Sequence, residues 1–556
     1  MPASVIEPTF SLSPVSQEQI GKILGGFKNS KAEDAFGLST LIIKTHKESL
    51  VCPITTIINK SINTSTFPDL WKTSVITPIL KSGDPTEISN YRPISILPVV
   101  SKVLEKCVAE QLVGHLNNSS YNLHQMQFGF RKHHSTETAV CFLLENLKLK
   151  IDRGGVVGAV FLDLKKAFDT VNRDILTEKL HHFNLSPRTL LWLESYLTCR
   201  KQQVRVNNTT SSCGENQLGL PHGSSLSPLL FSLYINDLPS CCPPNVQCQL
   251  YADDAVIYVH ARDRNQAAQE LTLSMNKFSE WLQKSQLILN VSKTVCMYFS
   301  KSSTNQDTPP VLINGTAIRS VSEYKYLGIT IDTQLTFKSH IKKVVNSIKF
   351  NLSNFRHIRN NLTLEAAKLY YNAMIVSQMT YCMTSWASAC RTILKPLQTV
   401  HKQALKTLDK KPKSHHNCKI LQKHNLLSFN NMIQHTDCIL VYKILHGLAP
   451  PPLQDFVKKR QNRSTRASSR GDCIIPSRKS SFGQTVFSFR ASQTWNTIPE
   501  SIRELSTLPS FSKQLRSWLL ENQTCTHNFR DNARKLFANK SKNKPLGGEK
   551  KWSQLS

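Results

Sequence analysis

The spacing of apolar positions changes character twice along the chain. Near the start, Ser16 and Gln19 form a capping-box pair ahead of Ile20, Ile23, Leu24 and Phe27 at helical spacing, which predicts a short N-terminal helix. From Trp71 to about Asp332, short apolar runs alternate with helical ones, such as Val103, Leu104, Cys107, Val108 and Leu112 on one face, with Gly and Pro between them. That region reads as mixed α/β. Beyond Phe337 only helical spacing remains: Ala366, Leu369, Tyr370, Ala373 and Met374 recur as one stripe and are expected to face a core. The run Pro450 to Pro452 and the Ser/Arg-rich stretch from Arg460 to Ser481 read as a linker. Trp495, Pro499, Ile502, Phe511, Leu515, Trp518 and Leu519 then predict a small helical module, and the polar, basic stretch from Asn539 to Ser556 is expected to be disordered.

Two of the strand-like runs end in acids. The run VVGAVFL, Val156 to Leu162, leads directly into Asp163, and QLYADDAVIYV has two apolar halves around Asp253 and Asp254, the pattern of a hairpin with paired acids at or beside its tip. An Asp pair alone is more often a turn-former than a ligand. The third carboxylate changes that balance, because carboxylates on neighbouring strands repel unless a cation lies between them. Two hard divalent ions about 3.5–4 Å apart, held by such oxygens, stabilise the attacking and leaving oxygens of phosphoryl transfer. Mg²⁺ suits an all-oxygen set.

Composition narrows the partners. With 556 residues and 40% apolar side chains the chain has room for three or four cored domains. The net charge of +31 is unevenly spread: residues 1 to 335 hold 32 basic and 28 acidic side chains, residues 336 to 556 hold 37 and 10. So concentrated an excess suits a polyanion, either nucleic acid or an anionic membrane. The membrane is disfavoured, since no stretch approaches the roughly 18 consecutive apolar residues of a spanning helix and MPASVIEPTF lacks the features of a signal peptide. The 15 cysteines include no C-x-x-C pair, which fits a reduced intracellular compartment.

At this point a resemblance becomes specific. WKTSVITPILKSGD from Trp71 and NYRPISIL from Asn90, QFGFR from Gln127, FLDLKKAFDTV around Asp163, LGLPHGSSLSPLLFSLYINDL, YADD, WLQKSQLILNVSKT and YKYLGI from Tyr324 stand in the order of the fingers, template-contact, palm and primer-grip motifs. The chain resembles the reverse transcriptases of non-long-terminal-repeat (LINE-type) retrotransposons. TWNTIPESIRELSTLPSFSKQL, from Thr494, is similar to the segment that follows the thumb in many of them. The apurinic-type endonuclease that the family usually carries upstream is expected to be absent, with about 70 residues before Trp71.

The resemblance implies an α+β right-hand polymerase with an antiparallel palm sheet, divided into an N-terminal helical lead-in (1–70), fingers and palm (71–335), a helical thumb (336–450) and a linker with a small basic C-terminal module (451–556). It implies two Mg²⁺ ions, or Mn²⁺ in their place, on Asp163 and Asp253 with Asp254 supporting them. Lys293 would protonate the departing pyrophosphate. Lys81 and Arg92 would hold the incoming triphosphate, Phe168 would screen its 2′ position, and His222 and Gly223 would lie beside it. Gln127, Phe128, Gly129 and Arg131 would follow the template, and Leu327 and Gly328 would position the primer end.

The implied partners are an RNA template, a DNA primer or target and deoxynucleoside triphosphates, without a membrane. The implied location is the nucleus, or a cytoplasmic ribonucleoprotein, and the run Lys410-Lys411-Pro412-Lys413 is a candidate import signal. Two departures stand out: His222 occupies the place of the family's glutamine, and Ser227 that of a later glycine. An imidazole there is expected to weaken fidelity or rate. A catalytically silent nucleic-acid-binding relic and a maturase-like intron protein are therefore the competing readings.

Overall fold

The computed structural model describes residues 8–207, 209–301, 308–460, 471–478 and 480–523. Its strands, in chain order, are β1 (Thr73–Leu80), β2 (Tyr91–Ile96), β3 (Val156–Leu162), β4 (Arg200–Val206), β5 (Thr209–Thr210), β6 (Gly214–Asn216), β7 (Val246–Tyr251), β8 (Asp254–Ala261), β9 (Val295–Phe299), β10 (Val311–Ile313), β11 (Thr316–Ser320), β12 (Glu323–Tyr326) and β13 (Ile329–Asp332). The chain divides into two compact units: Met1–Ser339 with His446–Val457 and Pro476–Ser488, and His340–Leu445 with Lys458–Ile475 and Phe489–Ser556.

In the first unit the main sheet runs β10-β11-β9-β3-β8-β7. β3 is antiparallel to both β8 and β9, whereas β9 and β11 are parallel. All seven residues of β3 are buried, because both faces of the sheet are covered. One face lies against the helix Arg264–Lys284, where Gly158 leaves room for Leu271 and Ala267. On the other, Phe161 stacks on Tyr324 of the β12–β13 hairpin at 4.6 Å. A second sheet runs β2-β1-β4-β5 with β6 beside β4.

Local sequence accounts for much of this. The helix Gln17–Gly25 begins with the reciprocal capping box of Ser16 and Gln19 and buries Ile20, Ile23 and Leu24. Val103, Leu104, Cys107, Val108 and Leu112 lie buried on the helix Val99–Asn118.

Two later segments return to the first unit and pack on the helix Thr136–Asp152. Glu145, 2% exposed, accepts hydrogen bonds from the backbone nitrogens of Phe487 (2.7 Å) and Ser488 (3.2 Å). Asp152 bonds Lys301 at 3.0 Å and also Ser480. The stretch expected as one linker and module, 451–556, is thus shared between the units, and cutting the chain at 450 would remove both backbone donors from Glu145.

The second unit is helical, but its predicted stripe is displaced. Leu369 is 71% exposed, and the buried positions are Ala367, Tyr371 and Ile375. The buried side lies one residue on from the predicted stripe already in the helix Leu364–Tyr371, ahead of a π-helical turn over Asn372–Val376. Asp437, 1% exposed, is held by a bidentate pair from Arg490 at 2.8 and 2.9 Å. The tail expected to be disordered from Asn539 lies outside the described residues. Among the described residues no helix is long and apolar enough to cross a membrane.

Candidate active site

β3 ends at Leu162, paired with Ala255 of β8. Continuing that antiparallel register by one residue sets Asp163 beside Asp254. β7 and β8 join through the two-residue turn Ala252-Asp253, closed by the Tyr251–Asp254 pair. So short a connection needs a positive φ to match the strand twist, and Ala252 takes it at 54°. Three carboxylates therefore gather at two neighbouring strand ends.

Asp163 and the backbone of the hairpin turn are fixed by residues distant in sequence. Asn290 donates from Nδ2 to Asp163 Oδ2 at 2.8 Å, and its backbone nitrogen donates to the Asp163 carbonyl at 2.7 Å. Thr294 Oγ1 accepts from the Asp163 nitrogen at 3.4 Å. Below the hairpin, Gln127 Oε1 accepts from the nitrogens of Gly129 (2.8 Å) and Ala252 (3.3 Å), and Phe128 and Leu250 exchange strand-like bonds with the same segment. A Cβ on Gly129 would collide with the backbone nitrogen of Ala252, so the approach requires glycine there.

The carboxylates repel one another. Asp254 still reaches solvent, yet the protein around it, and then the charges of Asp253 and Asp163, push its carboxyl up to about 6 against the pull of Lys81. Burial, followed by Asp254 and Asp163, likewise pushes the Tyr324 hydroxyl up to about 12, which places that ring beside the acids. Among the described residues no three His, Cys, Asp or Glu side chains form a metal cage by themselves. The donor set nonetheless fits a hard divalent cation whose shell is completed by water and phosphate, since it offers mutually repelling carboxylate oxygens on an open face.

The other predicted residues fall into distinct positions. Lys81 is exposed just beyond β1 and acts on Asp254, while Arg92 is exposed on β2 opposite Ile79. Lys293 is exposed and donates its backbone nitrogen to the Asn290 carbonyl at 3.1 Å. Phe168 stacks on Phe231 at 4.4 Å and lies 5.8 Å from His222. Gly223 has φ 93°, and a Cβ there would come within 2.8 Å of the Ser95 carbonyl. Leu327 and Gly328, at φ 43° and 87°, form the tip of the β12–β13 hairpin with the sign pattern of a type I′ turn.

One expectation needs correction. Gln127 and Phe128 are 0% and 1% exposed, so their side chains support the hairpin instead of lining a template path. Arg131 also turns inward, donating to the carbonyls of His124 (2.9 Å) and Gln127 (3.3 Å). His222 Nε2 lies 2.8 Å from Asp169 Oδ1. Asn290, Thr294, Asp169 and Tyr324 were not singled out by spacing, although all four lie inside the motifs quoted above.

The second unit carries a different kind of site. The ends of the helices Lys338–Ile358 and Arg391–Leu408 and the loop after them border a cleft of about 460 Å³ lined by Arg356, Arg359, Lys406, Lys410, Lys411 and Lys413, with no acid. The adjacent Asp409 is turned inward, bonded to Lys423 at 2.6 Å and His424 at 2.8 Å.

Residues 79–331 match the family described as reverse transcriptase (RNA-dependent DNA polymerase). The chain carries a reverse transcriptase domain. Reverse transcriptases as a family work with divalent metal. RNA-directed DNA polymerase from mobile element jockey of Drosophila funebris is 28% identical over 72% of this chain and 44% of its own length. The protein of the same name from Drosophila melanogaster is 27% identical over 74% and 45%. The reverse transcriptase chain thus spans less than half the length of these relatives. A solved structure of apo telomerase from Candida tropicalis aligns with a TM-score of 0.38 at 15% identity, covering 66% of this chain and 62% of that one.

Proposed function

We propose that the chain is an RNA-directed DNA polymerase that extends a DNA 3′ end along an RNA template with deoxynucleoside triphosphates. The observation that carries this reading is the meeting of Asp163 with the Asp253-Asp254 turn at adjoining strand ends inside a reverse transcriptase domain. Asp163, Asp253 and Asp254 are the residues that would hold two Mg²⁺ ions, or Mn²⁺. Bound there, the ions would stabilise charge on the attacking and leaving oxygens.

The chain's own residues do the rest. Asn290 and Thr294 orient Asp163, while Gln127 and Gly129 set the height of the hairpin. Lys81 and Arg92 grip the triphosphate, a task suited to charge-assisted donors. Phe168 screens the sugar, and Lys293 supplies a proton to the departing pyrophosphate. The glycine turn at Leu327 and Gly328 bears on the primer, and the cationic cleft holds nucleic-acid phosphates. The place of work would be the nucleus, or a cytoplasmic ribonucleoprotein.

Primer extension on an RNA template with Mg²⁺ tests the reading, with Asp253→Ala as control. The expected result is extension by the parent and at least about a thousandfold loss in the variant, roughly 4 kcal/mol of barrier. Equal, negligible incorporation by both would leave the relic reading standing.

A further inference from the structure

Phe130 combines exposure with backbone constraint. It is 53% exposed and holds φ at 57°, a conformation that a bulky side chain keeps only where its surroundings impose it. The surroundings do so: the Gly129 nitrogen is bonded to Gln127 Oε1 at 2.8 Å, the Phe128 nitrogen to the Leu250 carbonyl at 2.8 Å, and the Arg131 guanidinium to the Gln127 carbonyl. The ring is thereby carried out of a pinned segment to meet the edge of Phe168, with centroids 6.3 Å apart at 88°.

Phe168 is supported from two other directions. It stacks on Phe231, which is fully buried, and it flanks His222, which Asp169 holds in place. A ring that screens the 2′ position works only if it cannot swing aside when a ribose presses on it. Two supports, His222 and Phe231, come from the segment LGLPHGSSLSPLLFSLYINDL, and the third from Phe130 on a segment clamped to the β7–β8 hairpin.

We propose that Phe130 is a positioning residue that braces Phe168 and thereby sets the preference for deoxyribonucleotides over ribonucleotides. The proposal rests on the reading of Phe168 as the screen. Phe130 touches the nucleotide's discrimination through that ring, not through the reacting atoms.

The test is single-nucleotide incorporation by the full chain, with kcat/KM measured for a deoxynucleotide and for the matching ribonucleotide. Phe130→Asn removes the ring with a residue that tolerates the left-handed backbone, and Phe130→Tyr keeps the edge contact. Loss of one aromatic edge contact is expected to raise relative ribonucleotide use by about three- to tenfold. Phe130→Tyr should match the parent, and Phe130→Asn should add nothing to Phe168→Ala, which on its own should shift the ratio further. If Phe168→Ala shifts the ratio and Phe130→Asn does not, the brace is wrong. If Phe168→Ala leaves the ratio unchanged, the screen itself is wrong. A loss by Phe130→Asn that is equal for both nucleotides would assign Phe130 to hairpin support and overturn the proposal.

Discussion

The carboxylate site of the first unit and the cationic cleft of the second handle charge in opposite ways. The three acids sit at strand ends on short side chains, Asp163 fixed by hydrogen bonds from Asn290 and the Asp253-Asp254 turn held through Ala252 by Gln127, and they bear their mutual repulsion in place. The cations of the cleft stand on long side chains at helix C-termini and in a loop, where the helix dipole favours positive charge. Two acids of that unit have buried carboxylates held by basic side chains, Asp409 by Lys423 and His424, and Asp437 by Arg490. Charge used for chemistry has to be placed to a fraction of an ångström. Charge used for grip can remain diffuse, because a phosphate backbone presents the same group at every step.

The contrast can be broken at either end. Gly129→Ala drives a side chain into the Ala252 backbone and lifts the hairpin, so extension should fall by about a hundredfold while affinity for RNA is retained. Single-turnover kinetics alongside equilibrium binding separates the two, and an intact rate would show that the hairpin tolerates displacement. Removing three charges from the cleft, Lys410→Gln with Lys411→Gln and Lys413→Gln, should do the reverse. Affinity for single-stranded RNA should drop about tenfold or more and the slope of log K on log salt should flatten by about 2, with the rate at saturating template kept. An unchanged slope would remove the cleft from nucleic-acid binding and return the run to the import-signal reading.

Finer changes sharpen the carboxylate side. His222→Gln exchanges one hydrogen bond to Asp169 for another, so extension should change by less than about fivefold. Recovery of activity from a silent parent would instead identify His222 as a lesion. The smallest effect is on stability. The Asp254 carboxyl is raised from its ordinary 3.8 to about 6 in the folded chain, so the folded state holds a proton that the unfolded state has released between those values. The stability of the metal-free protein therefore falls as pH rises from about 4 to about 6, and the deficit is complete above that. Asp254→Asn should raise the melting temperature by about 1–3 °C at pH 7.5, a modest gain because the carboxyl reaches solvent, and by nothing at pH 4. Thermal melts at the two pH values without divalent metal decide it.

Much of the site was legible before any coordinates. The apolar run into Asp163 and the paired acids between two apolar halves become β3 and the β7–β8 hairpin, and the capping box at Ser16 starts the first helix. What could not be read were the inward turn of Gln127, the one-residue offset of the Ala366 stripe, and the return of residues 476–488 to the first unit.

Sequence by itself determined which residues end strands, which cap helices and which carry charge, because those properties follow from local spacing and side-chain chemistry. Tertiary structure decided how they are aimed. Asn290 reaches Asp163 across 127 residues and Glu145 meets Phe487 across 342. Hydrogen bonds between segments so far apart leave no period in the chain, and form only once burial has made an unpaired polar group more costly than the entropy of bringing its partner to it.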